Sequence, residues 1–295
     1  MRRGRARRGA RRAKAKKAKA KKTLGESRLP AYGIGMTLTR FNHYLIGAAS
    51  DRGSIREHNE DYFGIFAQET DELVRSLGIL VVVSDGMGGH LSGAEASRKA
   101  VESLGEAYFA AAGAAGARLE ASHANRLRWA FLEANRQVYE TIGEGHNGMA
   151  GTTCTAAVLL PDRVIVAHAG DSRAYLIRGG VMTQLTEDHS IVGEMVRKGV
   201  LSKEEAARHP HRNIITRAVG LRGNLDIDLG EPVGLERGDR ILICSDGLFS
   251  MIDEREIEEI AAKGSPEKAC RKLVKRAKEE GGSDNITVLL AERTA

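Results

Sequence analysis

The chain has 295 residues, 42% of them hydrophobic and 28% charged, with a formal net charge of +6. That is enough apolar material for one large core or two small ones, and it excludes a wholly disordered polyelectrolyte. The longest apolar runs, such as Gly78-Ile79-Leu80-Val81-Val82-Val83, fall far short of the about 20 residues that a membrane-spanning helix needs.

The charge is unevenly placed. Residues 1–22 carry 13 of the 45 Lys and Arg and no acid, leaving 32 basic residues against 39 acidic ones, a net of −7. Residues 1–38 are expected to be a disordered basic tail, because like charges repel and few apolar groups are present to pack. Such a tail contacts nucleic acid or anionic lipid through phosphates, or serves only to solubilise. Cys154, Cys244 and Cys270 are odd in number and lack Cys-x-x-Cys spacing. A disulfide framework or zinc ribbon is therefore not expected, and a reducing, cytoplasmic setting is. No apolar signal segment follows the basic start.

From about residue 42 the pattern becomes regular. Strands are expected at 44–49, 62–67 and 78–83, the last a continuous apolar run ending in Ser84-Asp85-Gly86. Helices follow at 92–112 and 121–143, where apolar residues recur every three and four positions. Strands at 152–160, 163–168, 173–177 and 181–185 are separated by the turn signals Pro161-Asp162 and Gly179-Gly180. A polar, partly helical stretch at 186–212 interrupts them. Strands are expected again at 213–219, 225–229 and 240–244, helices at 254–262 and 266–280, and a last strand at 285–291. Asp253 and Ser265 stand where N-caps belong, with Pro266 at the first helical position. This order is not the alternation of a parallel sheet. It predicts an α+β domain at 39–295, with antiparallel sheets and helices packed outside.

Five aspartates fall at ends of these strands: Asp61, Asp85, Asp171, Asp246 and Asp284. One Asp-Gly at a strand end is ordinarily a turn residue. Five carboxylates meeting at one rim would repel each other, and hard divalent cations, Mg²⁺ or Mn²⁺, would relieve that. Glycine after Asp85 and Asp246 suits tight turns there and lets a backbone carbonyl approach an ion. Cys270 to Arg276 has the Cys-x5-Arg spacing of thiol phosphatases, but it sits in an amphipathic helical pattern rather than a glycine-rich anion loop. The histidines, including His123, His146, His168, His209 and His211, show no metal-ligand spacing.

Several blocks together resemble the metal-dependent protein phosphatases of type 2C in their compact bacterial form, over about residues 42–292. They are Asp51-Arg52-Gly53-Ser54-Ile55-Arg56-Glu57-His58-Asn59-Glu60-Asp61, Val83-Ser84-Asp85-Gly86-Met87-Gly88-Gly89-His90, Gly151-Thr152-Thr153, Gly170-Asp171-Ser172-Arg173, Leu185-Thr186-Glu187-Asp188-His189-Ser190, Ser245-Asp246-Gly247-Leu248 and Ser283-Asp284-Asn285. The resemblance implies a four-layer α-β-β-α sandwich and hydrolysis of phosphoserine and phosphothreonine in proteins. It implies two Mg²⁺ or Mn²⁺ ions about 3.5–4 Å apart activating a bridging water. Asp61 would bridge both ions, Asp85 and the Gly86 carbonyl would hold the first, and Asp246 and Asp284 the second. Glu60 would act through a bound water, Asp171 would serve with Asp246 at a third-metal site, and Arg56 would bind the substrate phosphate. Met87 stands where many eukaryotic relatives carry a histidine acid, so the leaving-group proton must come from elsewhere. The 186–212 stretch would be the flap beside the site. A monomer acting on the products of Ser/Thr kinases is expected. An inactive phosphopeptide-binding relative and a small-molecule phosphoesterase are the alternatives.

Overall fold

The computed structural model describes residues 35–41, 43–89, 91–114, 122–143 and 150–295. The elements begin with β1 (Gly35–Arg40), β2 (Tyr44–Asp51), β3 (Asp61–Phe66), α1 (Asp71–Leu77), β4 (Ile79–Met87), α2 (Leu91–Ala114) and α3 (His123–Val138), which ends in a wide turn at Tyr139–Gly143. Then come β5 (Gly151–Thr152), β6 (Cys154–Leu159), β7 (Arg163–Ala169), β8 (Arg173–Arg178), β9 (Val181–Gln184), α4 (Ile191–Arg197) and α5 (Lys203–Arg208). The chain closes with β10 (Asp228–Leu229), β11 (Val233–Gly234), β12 (Arg240–Cys244), α6 (Asp246–Phe249), α7 (Glu254–Ala261), α8 (Pro266–Glu279) and β13 (Ile286–Arg293).

Two antiparallel sheets face each other. One runs β1-β2-β13-β12-β8-β9, and the other β10-β7-β6-β4-β3, with β11 beside β7 and β5 beside β4. The continuous apolar run of β4 has a direct cause: side chains alternate across a strand, and here both faces are covered. Ile79, Val81 and Val83 enter the layer between the sheets with Ile46, Phe63, Ile241 and Leu289. Leu80 and Val82 point the other way, against Leu104, Leu127 and Phe131 of α2 and α3. On the far side α7 and α8 cover the first sheet through Ile257, Cys270 and Leu273. The predicted α-β-β-α sandwich is thus the observed fold. Asp253 accepts from the Glu256 N–H at 2.9 Å and Ser265 from Lys268 at 3.4 Å, as their cap positions require.

Several boundaries differ. The expected tail boundary at residue 38 falls inside β1, which pairs with β2 from Gly35↔Ser50 to Arg40↔Leu45. An edge strand needs only backbone partners, so its mixed composition gives no warning. The remainder of the expected tail, residues 1–34, lies outside the described residues, as do His90 and His146. The strand expected at 213–219 is reduced to the single bridges Ser190↔Ile215 and Thr152↔Val219. That expected at 225–229 shrinks to β10. α1 and the short α6 have no counterpart among the expected elements, since each is too brief to show a helical period.

Candidate metal centre

Pairing between distant segments gathers the aspartates. Antiparallel register sets Asp61 at the start of β3 opposite Asp85 near the end of β4. Asp171 lies in the β7–β8 connection, Asp246 opens α6 directly after β12, and Asp284 stands just ahead of β13. Cys244 of β12 pairs with Arg173 of β8 and with Val288 of β13, so these chain ends share one rim of the sandwich. All five predicted carboxylates come together there: Asp85 feels the charges of Asp61, Asp246, Asp171 and Asp284.

The rim is electrostatically costly without counter-ions. Burial raises Asp61 to about 7; hydrogen bonds from Ser245 and Thr287 oppose this, and Asp246 and Asp284 add to it. Burial and then Asp284 lift Asp246 to about 6, against a hydrogen bond with Asp85 and the charges of Arg56 and Arg173. Burial and Asp246 raise Asp171, and burial followed by its four acidic neighbours raises Asp85. Buried oxygens Oδ1 of Asp61, Asp171 and Asp246 have no hydrogen-bond partner. Orphaned anionic oxygens at one rim, with no soft ligand among them, fit hard divalent cations. Among the described residues, no three His, Cys, Asp or Glu side chains form a group able to hold an ion as they stand. The carboxylates are near enough to perturb one another without converging on one point.

Both flanking glycines serve close approach, and at Gly86 the expected tight turn is absent. Residues 85–87 continue β4, pairing Gly86 with Thr152 of β5. A Cβ on Gly86 would lie 2.2 Å from the Gly93 carbonyl oxygen, and one on Gly247 would lie 1.9 Å from that of Asn285. Glu60, beside Asp61 on the opposite face, packs its carboxylate over Gly93, where a Cβ would meet Oε2 at 1.9 Å.

Several supporting residues carry no signal of their own in the sequence. Ser245 donates to Asp61 Oδ2 at 2.7 Å and accepts the Thr287 N–H at 3.0 Å. Thr153 accepts the Asp85 N–H at 2.9 Å and meets the Ser172 hydroxyl at 2.7 Å. Buried Asn285 accepts the Glu60 N–H at 2.7 Å and donates to the carbonyls of Arg52 and His58, both at 2.9 Å. These contacts fasten the 52–60 loop to β13. Asn285→Ala leaves buried backbone groups unpaired, and chemical denaturation should show a loss of about 2–3 kcal/mol.

Arg56, on that loop, donates to Asp284 Oδ2 at 2.7 Å with about half its side chain exposed. Partial burial works against its charge, but Asp284, Glu60 and Asp85 outweigh that and hold the guanidinium firmly protonated. Met87, half-buried at the end of β4, offers no proton. The 186–212 stretch holds α4 and α5, with the chain before α4 tied to the rim through the His189 N–H on the Gly170 carbonyl at 2.8 Å. The Cys270 thiol is buried in α8, donates to the Gly47 carbonyl and has its ionisation suppressed by burial, so the thiol-phosphatase spacing is structural.

A family model described as "Protein phosphatase 2C" matches residues 54–291. The chain is 41% identical over 248 residues to "Serine/threonine phosphatase stp" of Listeria monocytogenes, covering 83% of this chain and 94% of that one. It is 37% identical over 251 residues to "Protein phosphatase PhpP" of Streptococcus pneumoniae, covering 83% and 96%. The catalytic domain of the serine/threonine protein phosphatase PstP in complex with two manganese ions superposes with a TM-score of 0.70 at 29% identity, covering 88% of this chain and all of that one.

Proposed function

This chain belongs to the protein phosphatase 2C family, and from that membership we propose which of its residues perform the chemistry. It is a metal-dependent serine/threonine protein phosphatase acting on phosphoproteins. The observation that carries the site assignment is the set of buried, unpartnered oxygens on Asp61, Asp171 and Asp246 at one rim with Asp85 and Asp284. Divalent cations bound there supply positive charge against the phosphoryl oxygens and acidify water for attack on phosphorus.

Asp61, Asp85, the Gly86 carbonyl, Asp246 and Asp284 hold two ions in this reading, with Asp171 and Asp246 at a weaker third site. Glu60 acts at one remove, through water. Ser245 and Thr153 fix the orientation of Asp61 and the β4 backbone at Asp85. Arg56 exchanges its bond with Asp284 for the substrate phosphate, which two guanidinium N–H groups can grip together. Its exposure leaves it free to do so at small cost. With Met87 unable to donate, the leaving oxygen takes its proton from water. Enzymes of this chemistry oppose Ser/Thr kinases. No helix among the described residues is long and apolar enough to cross a membrane, and the three free, buried cysteines fit a reducing cytoplasm.

Release of phosphate from a phosphothreonine peptide, assayed after chelation and again after Mn²⁺ is returned, tests the assignment. Turnover should vanish with chelation and come back with Mn²⁺; turnover that survives full chelation would sink it. Arg56→Ala should raise KM about tenfold or more for phosphopeptide and lower kcat less, because a ground-state phosphate contact is lost. An unchanged KM would remove Arg56 from the phosphate site.

A further inference from the structure

The block Leu185-Thr186-Glu187-Asp188-His189-Ser190 stands out in the sequence, but no step of the phosphatase chemistry uses it. The fold sets it against the loop that carries Asp171. Oδ1 of Asp171 is buried and has no hydrogen-bond partner. Asp61, by contrast, is gripped through its own carboxylate by the Ser245 hydroxyl. The aim of Asp171 is therefore set by the backbone at 170–173.

That backbone is clamped on both sides by the 185–190 block. Ahead of Asp171, the His189 N–H donates to the Gly170 carbonyl at 2.8 Å, and the Gly170 N–H donates to His189 Nδ1 at 3.2 Å. Accepting at Nδ1 leaves the ring proton on Nε2, which faces Asp228 Oδ2 at 2.9 Å. Arg217 holds Asp228 in turn, its Nη1 donating to Oδ1 at 2.7 Å. The His189 side chain is fully enclosed, with its ring centre 4.6 Å from that of His168. Behind Asp171, Asp188 accepts from Arg173 Nε at 2.9 Å and from Nη2 at 2.7 Å. The Arg173 guanidinium stacks 3.8 Å from the centre of the Phe249 ring on α6, the helix that Asp246 opens.

We propose that His189 is a positioning residue for Asp171: its Nδ1, steadied through Asp228 and Arg217, holds Gly170 so that the Asp171 carboxylate is set for the weaker metal site it shares with Asp246. This rests on the third-site assignment made above. It concerns that site alone, because Asp61, Asp85 and Asp284 have no contact with His189 among the bonds that hold it.

Calorimetric Mn²⁺ titration of the full chain and of two variants tests it. His189→Gln carries its amide out to the Nε2 position, where it meets Asp228 but not Gly170. His189→Asn keeps an acceptor near the Nδ1 position, where it meets Gly170 but not Asp228. Asparagine also leaves the larger void, so a histidine that only fills space makes it the worse of the two. His189→Gln should weaken the low-affinity class of Mn²⁺ binding about tenfold and leave the tight class unchanged. Its phosphopeptide turnover should fall at limiting Mn²⁺ and return as Mn²⁺ is raised. His189→Asn should stay within about threefold of wild type in the low-affinity class, even where it melts lower in EDTA. A low-affinity class untouched by His189→Gln, or affinities that simply follow thermal stability, overturns the inference. Equal weakening of the tight class overturns it too, reducing His189 to general packing. A wild type that takes up two Mn²⁺ and no more removes the third site and this inference with it, while the two-ion reading stands.

Discussion

Asp246→Asn lowers Mn²⁺-dependent turnover by about a thousandfold, and the same change makes the metal-free protein more stable than wild type at pH 8. Both effects come from one cause. In the metal-free state Asp246 stands at about 6 and Asp61 at about 7, above the ordinary 3.8, through burial first and then their acidic neighbours. A raised carboxyl pKa means the folded state holds its proton more tightly than the unfolded one. The contribution of these groups to stability is therefore full below about pH 3.8 and lost as pH climbs through 6 and 7. Asparagine carries no charge to be repelled. The variant's advantage in EDTA should then be near zero below pH 3.8, about half developed by pH 5, and of the order of 2–3 kcal/mol by pH 8.

Thermal melts of both proteins in EDTA across that range measure the difference. His168, held by burial near 4, and His189, also lowered, titrate in both proteins and cancel. Saturating Mn²⁺ should reverse the ranking, since a ligand at about 100 times its Kd adds about 2.7 kcal/mol to the protein that binds it. A wild type whose Tm is indifferent to Mn²⁺, or a variant advantage independent of pH, would contradict a metal-relieved carboxylate cluster.

Gly247→Ala should be nearly as damaging, by a steric route. The new Cβ would stand 1.9 Å from the Asn285 carbonyl oxygen and 2.9 Å from its carbon, both backbone atoms of a buried residue. Backbone cannot rotate aside, so α6 or the start of β13 must move. Asp246 opens α6, and Asp284 stands just ahead of β13. A loss of about 3 kcal/mol or more is expected, a Tm drop of about 6–12 °C in a domain of this size, together with weakened Mn²⁺ binding by calorimetry. Gly264 makes the contrast: it sits at φ +71 with nothing near its Cβ position, so it serves backbone conformation alone. Gly247 is needed for closeness, and an alanine variant of wild-type stability would show that α6 and β13 are not locked together.

Much of this centre is legible without any fold. The apolar runs of β4, β7 and β12 end in or beside Asp85, Asp171 and Asp246, and those endings are local features of the sequence. The residues that hold the carboxylates in place are not legible in the same way. Ser245 reaches Asp61 across 184 positions and Asn285 reaches Glu60 across 225, and nothing in a serine or asparagine announces so remote a partner. The glycines likewise leave a bend and a close contact both open in the sequence, because a bare hydrogen in place of a side chain serves either equally well until the neighbour is seen.

Local patterns along the chain already carry most of the strand and helix order, though not β1, α1 or α6, together with the hard-cation character of the site and the segregation of 13 positive charges into residues 1–22. Those properties follow from side-chain chemistry and short-range periodicity, which each stretch carries alone. That Asp61 faces Asp85, that α6 presses on Asn285 and that β1 starts from the carboxylate rim emerges only from the folded chain. Each of these depends on the pairing register of strands far apart in the chain, and register is settled by how the sheets bury their faces together.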